Sequence, residues 1–283
     1  MQVPVPLFLS SSGMTKLATV SAHELEMQGC RIRFLRASPA RADQSALLLH
    51  GLGDDHTAFP EEVITHLART HEVIVPDLVG FGGSRGASDF DHLLTTQAAI
   101  LEKLLDLLDI PGPVLLIGHS LGGALATLLA AGCAPRISAF VNVEGNLCEE
   151  DCFLSSHAVH AGNTGHFHRW WRLLPAASRR REGDVPAVSR YLKAVSRAEP
   201  DAFLASSRDV LRLTRTAVLA ETYRTLPVRR IYFHGETHPR EKRKFLQRYR
   251  LETAPFAGAP HWLIEHDPQA FLTRLCQWLA EQR

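Results

Sequence analysis

The chain has 283 residues, of which 45% are hydrophobic and 22% are charged, a balance typical of a folded globular protein that argues against disorder. Its 31 lysines and arginines face 30 acidic residues, so the formal net charge is only +1. This near-neutrality gives no electrostatic reason to expect nucleic acid or an anionic membrane as the main partner. No segment reaches the roughly 18 apolar residues that a membrane-spanning helix needs. We therefore expect a soluble protein.

The cysteines and the first residues bear on the compartment. Five cysteines are an odd number without the spacing of a disulfide framework, which favours free thiols and a cytoplasmic protein. The N-terminus lacks a basic region, and Pro4 and Pro6 interrupt its short apolar run, so it makes a poor signal peptide. We expect residues 1–20 to be an N-terminal extension without stable structure, and both Met1 and Met14 remain candidate starts.

Short apolar runs alternate along the chain with amphipathic helical patterns, which is the signature of a parallel sheet covered by helices. The predicted strands cover residues 23–29, 31–37, 45–50, 72–78, 113–119, 139–145 and 229–235, with an eighth in the stretch before His261. The predicted helices cover residues 59–70, 93–110, 121–132, 240–250 and 268–282. The clearest is 93–110, where Leu and Ile recur every three or four residues and the pattern stops before Pro111.

The segment 147–226 interrupts this alternation. It is helical in tendency, rich in Arg and Trp, and lies between two predicted strands. We therefore expect a helical cap inserted into one α/β core, which residues 21–146 and 227–283 form together. The core sheet is expected to be mostly parallel, with helices on both faces.

The strongest chemical signal is the run Gly118-His119-Ser120-Leu121-Gly122. It follows an apolar strand pattern and opens a helix rich in Ala and Leu, and its two glycines leave room for a tight turn. Such an elbow lifts a serine hydroxyl clear of the sheet. The following helix N-terminus brings the backbone N–H of Leu121 to a developing oxyanion. This context predicts Ser120 as a nucleophile.

A second glycine turn, His50-Gly51-Leu52-Gly53, follows the predicted strand 45–50. It allows the N–H of Leu52 to point at the same oxygen as the N–H of Leu121. Two fixed donors of this kind suit an acyl-transfer intermediate. A purely structural turn is compatible with the same residues, and both interpretations can hold together.

Taken together, these motifs resemble those of the α/β-hydrolase family. The chain carries the family's His-Gly turn, an Asp-x-x-Gly-x-Gly-x-Ser loop from Asp77 to Ser84, the nucleophile elbow and a late histidine, in family order over roughly residues 23–283. The resemblance implies an eight-stranded, mostly parallel sheet with an inserted helical cap. It also implies a hydrolase that needs no cofactor, and a structural role for the Asp77 loop.

The late histidine is His261, where the family usually has Gly-His and this chain has Pro260 before the histidine. Asp267-Pro268 preserves the start of the last helix. An imidazole suits general-base catalysis because its pKa near neutrality lets it take the serine proton and return it to the leaving group. The resemblance assigns this role to His261, and His119 and His266 are the alternatives.

The catalytic acid departs from the commoner family pattern. The family usually places an Asp three residues after the glycine that ends the seventh strand, and His238 occupies that position here. Some relatives, including one subgroup of haloalkane dehalogenases, place the acid at the end of the sixth strand instead. The matching residue is Glu144, which we predict to orient His261. Glu236 is the alternative acid.

The inserted segment carries two weaker charge patterns. Four histidines cluster near its start, at His157, His160, His166 and His168. The serine mechanism needs no metal and histidine-rich loops are usually solvated, so we predict no metal site. The run Arg179–Arg181 is predicted to form a solvated face, and binding of an anionic substrate is the alternative.

Apolar residues of the same segment, together with Trp262 beside the late histidine, suggest a substrate pocket. We predict that the pocket under the cap is lined by Trp170, Trp171, Leu174 and Trp262, with Leu173 in the same group. Packing of the cap on the core is the alternative interpretation, and the two are compatible.

These residues predict a serine hydrolase that cleaves a small-molecule carboxylic ester or thioester through an acyl-enzyme. A serine at the elbow argues against haloalkane dehalogenase and epoxide hydrolase chemistry, which uses an aspartate nucleophile in this fold. Acyl transfer and carbon–carbon bond hydrolysis on the same site are alternatives. A binding protein that kept the fold without catalysis is a third. The sequence does not predict an oligomeric state.

Overall fold

A computed structural model describes residues 19–39, 41–110, 112–183, 185–235 and 240–281. An eight-stranded sheet with the order β1-β2-β4-β3-β5-β6-β7-β8 forms its centre. The strands are β1 (Ser21–Met27), β2 (Cys30–Ala37), β3 (Ser45–Leu49), β4 (Glu72–Pro76), β5 (Val114–His119), β6 (Ile137–Val143), β7 (Arg229–Gly235) and β8 (Thr253–Phe256). Every predicted strand has its counterpart here, and β8 is the one expected before His261.

The sheet is mostly parallel, as predicted. Strand β2 runs antiparallel to both of its neighbours, β1 and β4, whereas the remaining neighbouring pairs from β4 to β8 are parallel. Every residue of β3 and β4 is buried, because helices cover both faces of the sheet. The carboxyl ends of the parallel strands therefore meet along one edge, where ligands bind in sheets of this type.

The described residues form the helices α1 (Glu61–Leu67), α2 (Leu94–Leu107), α3 (Leu121–Gly132), α4 (Phe153–Asn163), α5 (Phe167–Glu182), α6 (Pro186–Val195), α7 (Pro200–Arg215), α8 (Val218–Thr225), α9 (Arg240–Arg248), α10 (Leu263–His266) and α11 (Pro268–Ala280). The start of α11 shows why the sequence pattern works. Pro268 occupies the first helical turn, and the Asp267 carboxylate accepts a hydrogen bond from the N–H of Ala270. Among the described residues, no helix combines the length and apolar character needed to cross a bilayer.

Helices α4–α8, referred to below as the inserted helices, occupy the chain between β6 and β7. Within this group α4 packs on α5 and α7, while α7 and α8 reach α2 and α3 of the core. The segment falls within residues 147–226, for which the sequence predicts a cap. Residues 1–18 of the predicted N-terminal extension lie outside the described residues, and so do Glu236 and His238.

Candidate active site

Ser120 lies at the sharp turn between β5 and α3. Its backbone has φ 53° and ψ −120°, a conformation that costs a non-glycine residue roughly 1–3 kcal/mol. Two hydrogen bonds to the end of β6 hold it there. The N–H of Ser120 donates to the carbonyl of Val143 over 3.0 Å, and the N–H of Asn146 donates to the carbonyl of Ser120 over 3.2 Å. The surrounding fold therefore stabilises a strained backbone at this serine.

Crowding around the turn requires its glycines. A Cβ on Gly118 would lie 2.4 Å from the carbonyl oxygen of Gly122, and a Cβ on Gly122 would lie 2.1 Å from the carbonyl oxygen of Leu49. Larger residues would push the strand and helix apart. Gly51 approaches from the next strand end, where a Cβ would lie 3.2 Å from the Cβ of Ser120. The structure thus brings the two glycine motifs together beside one serine.

Glu144 directly follows β6 and is bound by the neighbouring strand β7. Its N–H donates to the carbonyl of Phe233 over 2.9 Å, and its Oε1 accepts from the N–H of Gly235 over 2.5 Å. The Glu144 side chain is only 6% exposed. The end of β7 therefore holds the Glu144 carboxylate in a fixed, buried position.

The second carboxylate oxygen of Glu144 faces His261. Oε2 lies 3.5 Å from Nδ1 of His261, an ion-pair distance that exceeds the usual N–H···O hydrogen bond. Contacts of catalytic groups are often this long before substrate binds. The His261 side chain is 44% exposed. One edge of its imidazole thus faces the buried carboxylate while the rest of the ring stays accessible.

His119, one of the alternatives for the base, has a different environment. Its Nε2 lies 2.9 Å from the carbonyl oxygen of His261, so this nitrogen carries a proton and donates it. Burial, together with the charge of nearby His261, lowers the pKa of His119 to about 3. A neutral His119 whose N–H is already engaged is a poor general base. It ties the backbone of His261 to the strand end that carries Ser120. His266, the other alternative, is exposed.

The turn after β3 is fixed from both sides. On the inner side, Nε2 of His50 accepts the N–H of Leu78 over 2.9 Å. On the outer side, the Tyr191 hydroxyl of α6 donates to the carbonyl of Leu52 over 3.0 Å. Gly53 has a φ of 74°, and a Cβ there would lie 2.7 Å from the Phe203 ring of α7. The inserted helices therefore hold Leu52 in place, the residue predicted to donate one oxyanion N–H.

The second predicted donor, Leu121, is the first residue of α3 and is 2% exposed. The first N–H groups of a helix have no partner within the helix and point beyond its N-terminus. Because α3 begins directly after Ser120, these groups lie at the serine.

Arg190 of α6 and Arg197, two residues after the end of α6, each form an ion pair with the turn after β3. The sequence did not predict either pair. Arg190 donates to both carboxylate oxygens of Asp54, over 2.5 and 3.0 Å, and to Glu265 over 2.7 Å. Arg197 donates to the carboxylate of Asp55. The carboxylates are buried, with 1% exposure for Asp54 and 0% for Asp55. In the sequence, the only indication of these ion pairs is that two adjacent acids follow a glycine turn. Acidic residues in loops are too common for this to predict a specific partner.

The four predicted pocket residues come together. Leu174 belongs to an apolar cluster with Tyr191 of α6, and Trp170, Trp171 and Trp262 pack against that cluster. Leu173 is not among the residues that pack against this cluster, and its side chain is 55% exposed. The helical period puts the neighbours 173 and 174 on different faces of α5, so the structure does not bring Leu173 to the other four.

One group of described residues has metal-ligand character, namely Asp55, His56 and Asp77, whose ligand atoms lie within 4.8 Å of one another. These side chains have hydrogen-bond and ion-pair partners without a metal ion. The ring Nδ1 of His56 lies 2.8 Å from Asp77, whose other oxygen accepts the N–H of Gly83, and Asp55 binds Arg197. We assign no metal to them. The four histidines between positions 157 and 168 form no such group within the described residues.

Comparison with known proteins places these observations in context. The sequence model described as the alpha/beta hydrolase family matches residues 46–274. The magnesium-chelatase 30 kDa subunit of Rhodobacter capsulatus is 44% identical over 92 residues, which are 32% of this chain and 32% of that protein. The 2-hydroxy-6-oxo-2,4-heptadienoate hydrolase of Pseudomonas putida is 33% identical over 102 residues, 35% of this chain and 37% of that protein. The aligned region thus spans about a third of the length of these curated relatives.

Among solved structures, a carboxylesterase structure from the thaumarchaeon Nitrososphaera gargenis has a TM-score of 0.74 at 17% sequence identity. The match covers 91% of this chain and 98% of that one. Identity this low supports a shared fold and leaves the substrate open.

Proposed function

Because the chain belongs to the alpha/beta hydrolase family, we propose that it is a serine hydrolase that cleaves carboxylic esters or thioesters of small molecules. The observation that carries this proposal is the strained, glycine-flanked turn at Ser120, next to the Glu144–His261 contact of 3.5 Å. Nucleophile, base and acid come from the ends of three different segments and converge at the carboxyl edge of the sheet. This arrangement supports acyl transfer to a serine.

In the proposed reaction, the Oγ of Ser120 attacks the substrate carbonyl carbon while His261 accepts the hydroxyl proton on Nε2. The resulting imidazolium then gives that proton to the leaving alkoxide or thiolate, and the acyl-enzyme remains. Water attacks the acyl carbon while His261 takes one of its protons, and His261 then gives that proton to the Oγ of Ser120 as the carboxylic acid leaves. Acylation and deacylation each leave His261 neutral again, and deacylation restores the Ser120 hydroxyl.

Glu144 is proposed to stabilise the imidazolium and to fix its tautomer. Since Oε2 of Glu144 faces Nδ1 of His261, that nitrogen holds the proton and Nε2 is left as the acceptor toward Ser120. Gly235 occupies the other oxygen of Glu144, so the carboxylate cannot turn away from the ring. The backbone of β7 thus supports an acid supplied by β6.

The N–H groups of Leu52 and Leu121 are proposed to bind the oxyanion. The Leu52 N–H shares its peptide group with the Gly51 carbonyl, which accepts from Nδ1 of His50 over 2.9 Å and from the N–H of Asp54 over 3.1 Å. The Tyr191 bond fixes the next peptide group through the Leu52 carbonyl, and Arg190 and Arg197 hold Asp54 and Asp55 beyond it. Preorganised donors of this kind stabilise the tetrahedral intermediate, and losing one typically costs about 10²–10³ in turnover.

The inserted helices are proposed to act as a cap whose apolar inner side receives the acyl or alcohol group. Trp171 packs edge-on against Phe203 with ring centroids 5.0 Å apart, and Phe203 lies against Gly53. A line of aromatic rings thus leads from α5 to the glycine turn beside Ser120. This lining favours an apolar substrate group over a charged one.

Carbon–carbon bond hydrolysis is a second candidate, supported by the sequence similarity to the 2-hydroxy-6-oxo-2,4-heptadienoate hydrolase. Acyl transfer would run on the same groups. Product analysis separates these activities from ester hydrolysis, because an added alcohol or amine competes with water only when the acyl-enzyme is open to acceptors other than water.

The test is a panel of p-nitrophenyl esters of increasing acyl length, assayed beside acyl-CoA thioesters, with a fluorophosphonate probe to label the nucleophile. We expect hydrolysis of at least one class and stoichiometric labelling. Ser120→Ala and His261→Gln should each lower turnover by about 10⁴ or more. His266→Gln is the matched control, since this exposed histidine lies five positions away and should leave turnover unchanged. Continued labelling of the Ser120→Ala variant would falsify the nucleophile assignment.

A further inference from the structure

The segment from Phe153 to Arg181, which covers α4 and almost all of α5, has an unusual charge. It contains five arginines and not one acidic residue. The rest of the chain then holds 26 basic against 30 acidic side chains, a net charge of −4. The near-neutral total therefore hides a strong asymmetry, with a net +5 concentrated in one part of the inserted helices. The next acids along the chain are Glu182, at the C-terminal end of α5, and Asp184.

Three of the five arginines lie on one exposed face of α5. Positions 169, 172, 173, 176 and 180 follow the three- and four-residue spacing of one helix face, and all five residues are exposed. They are Arg169, Arg172, Leu173, Ala176 and Arg180, which we call the arginine face. Among the described residues, none forms an ion pair with the three guanidinium groups of this face. These three charges therefore face solvent and are not neutralised by ion pairs with the described residues.

Apolar side chains accompany these charges. Leu173, in the middle of the arginine face, is 55% exposed, and Phe153 at the start of α4 is 51% exposed. The guanidinium group of Arg181 lies 3.5 Å from the ring centroid of Phe153. An exposed Leu between arginines on one helix face suits a surface that meets both phosphate head groups and the acyl region beneath them.

The inner face of the same helix points to the candidate active site. Phe167, Trp171 and Leu174 pack inward, and Trp171 contacts Phe203, which lies on Gly53. Only one helix, about 10 Å in diameter, therefore separates the arginine face from the aromatic line leading to Ser120. A bilayer bound to this face would lie about one helix diameter from the proposed pocket.

We propose that the arginine face of α5 docks the protein on anionic lipid bilayers. Charge complementarity favours this occupant, because a planar array of head-group phosphates can meet all three guanidinium groups at once and the exposed Leu173 can enter the interface beside them. Bilayer docking stands independently of catalysis. We further infer that the substrate is an ester dissolved in that bilayer, and this part rests on the proposed function.

The test is co-sedimentation of the full chain with large vesicles, made either of phosphatidylcholine alone or of equal parts phosphatidylcholine and phosphatidylglycerol. We expect binding to the anionic vesicles only, weakened by added salt. The triple variant Arg169→Gln, Arg172→Gln, Arg180→Gln should bind about a hundredfold more weakly, since each arginine near an anionic surface contributes about fivefold. Leu173→Gln should give a smaller loss.

The matched control removes three exposed arginines from the opposite end of the sheet. Arg224, Arg248 and Arg250 line a cleft of about 750 Å³ beside Arg229, the first residue of β7, whereas Ser120 lies at the carboxyl edge. Their triple Gln variant loses the same charge and should bind anionic vesicles like the wild type. Equal losses in both triples would overturn the proposal, because net charge alone would then explain binding. So would equal binding to both vesicle types, or a tighter affinity for duplex DNA than for vesicles.

Catalysis and docking are separated by Ser120→Ala. This variant should bind anionic vesicles as well as the wild type does, whether or not the chain hydrolyses esters. If hydrolysis is absent and vesicle binding depends on the arginine face, the docking surface stands and the proposed function fails. If soluble esters are hydrolysed and vesicles are not bound, the proposed function stands and the docking surface fails.

Discussion

Arg190 of α6 forms a bidentate ion pair with Asp54, two residues beyond Leu52, the proposed oxyanion donor, with donor–acceptor distances of 2.5 and 3.0 Å. The same guanidinium group donates through Nε to Glu265, four residues after His261. A single side chain from the inserted helices thus links the loop after β3 to the loop that carries the candidate base. The inserted helices therefore contact both chain segments that flank the candidate site.

The Arg190–Asp54 pair gives the first prediction. Asp54 is 1% exposed, so Arg190→Met leaves a buried carboxylate without its partner, and we expect the free energy of unfolding to fall by about 3–5 kcal/mol. Denaturant unfolding measures this loss. The double variant Asp54→Asn, Arg190→Met should recover most of it, because it removes the unpaired charge.

Arg224→Met is the control, since the Arg224–Glu221 pair is about half exposed and should contribute less than about 1 kcal/mol. An Arg190→Met protein as stable as the wild type would show that the bidentate pair does not hold the turn.

The second prediction concerns the acid. We expect Glu144→Gln to lower turnover by about 10²–10⁴ with substrate binding largely intact, because the imidazolium loses its partner mainly in the transition state. Glu236→Gln should retain activity. Steady-state kinetics of both variants, each checked for folding by circular dichroism, decides between them.

The reverse result, a normal Glu144→Gln and an inactive Glu236→Gln, would move the acid to the residues after β7. Two active variants would mean that Ser120 and His261 work as a pair without an acid.

The fold could be predicted from the sequence to a large extent, because its determinants are local. Buried strands appear as apolar runs, and the extent of α3, Leu121–Gly132, coincides with the predicted 121–132. The contacts made by Arg190 were not predictable, because Asp54 and Glu265 lie 136 and 75 residues away along the chain. The periodic patterns of helices and strands carry no information on contacts between residues so far apart in the sequence. The sequence showed that the inserted segment is rich in Arg, but it did not show which arginines share one exposed face, because that depends on how α5 packs on the rest of the fold.

The third prediction concerns metals. The proposed reaction draws all its catalytic groups from side chains and backbone N–H groups, so turnover should survive dialysis against EDTA and should not rise when zinc or magnesium is added. Metal analysis of the purified protein, run beside the assay, checks this. Stoichiometric zinc together with EDTA-sensitive turnover would contradict the mechanism and would direct attention to Asp55, His56 and Asp77.

The fourth prediction concerns stability in acid and rests on Asp55. Burial opposes ionisation of this carboxyl, but hydrogen bonds from Thr57 and Arg197 outweigh it and lower its pKa from 3.8 to about 2. A pKa below the unfolded value means that folding favours the ionised form. The contribution is therefore complete above pH 3.8 and is lost as the pH falls toward 2. A shift of this size corresponds to about 2 kcal/mol.

Asp77 has its pKa lowered in the same direction. Burial again opposes ionisation, and the hydrogen bond and charge of His56 outweigh it, so Asp77 adds to the loss of stability in acid. Denaturant unfolding as a function of pH should show the wild-type stability falling steeply as the pH drops below 4, by linkage. Asp55→Asn should be less stable than the wild type by about 2 kcal/mol at neutral pH and should lose less stability on acidification. The two stability curves should approach each other near pH 2.

The control is Asp89→Asn, at an exposed position, which should follow the wild-type stability curve throughout. Parallel curves for Asp55→Asn and the wild type would mean that the Asp55 carboxyl does not couple folding to protonation, and the ion pair with Arg197 would then contribute nothing to the stability of the turn beside Ser120.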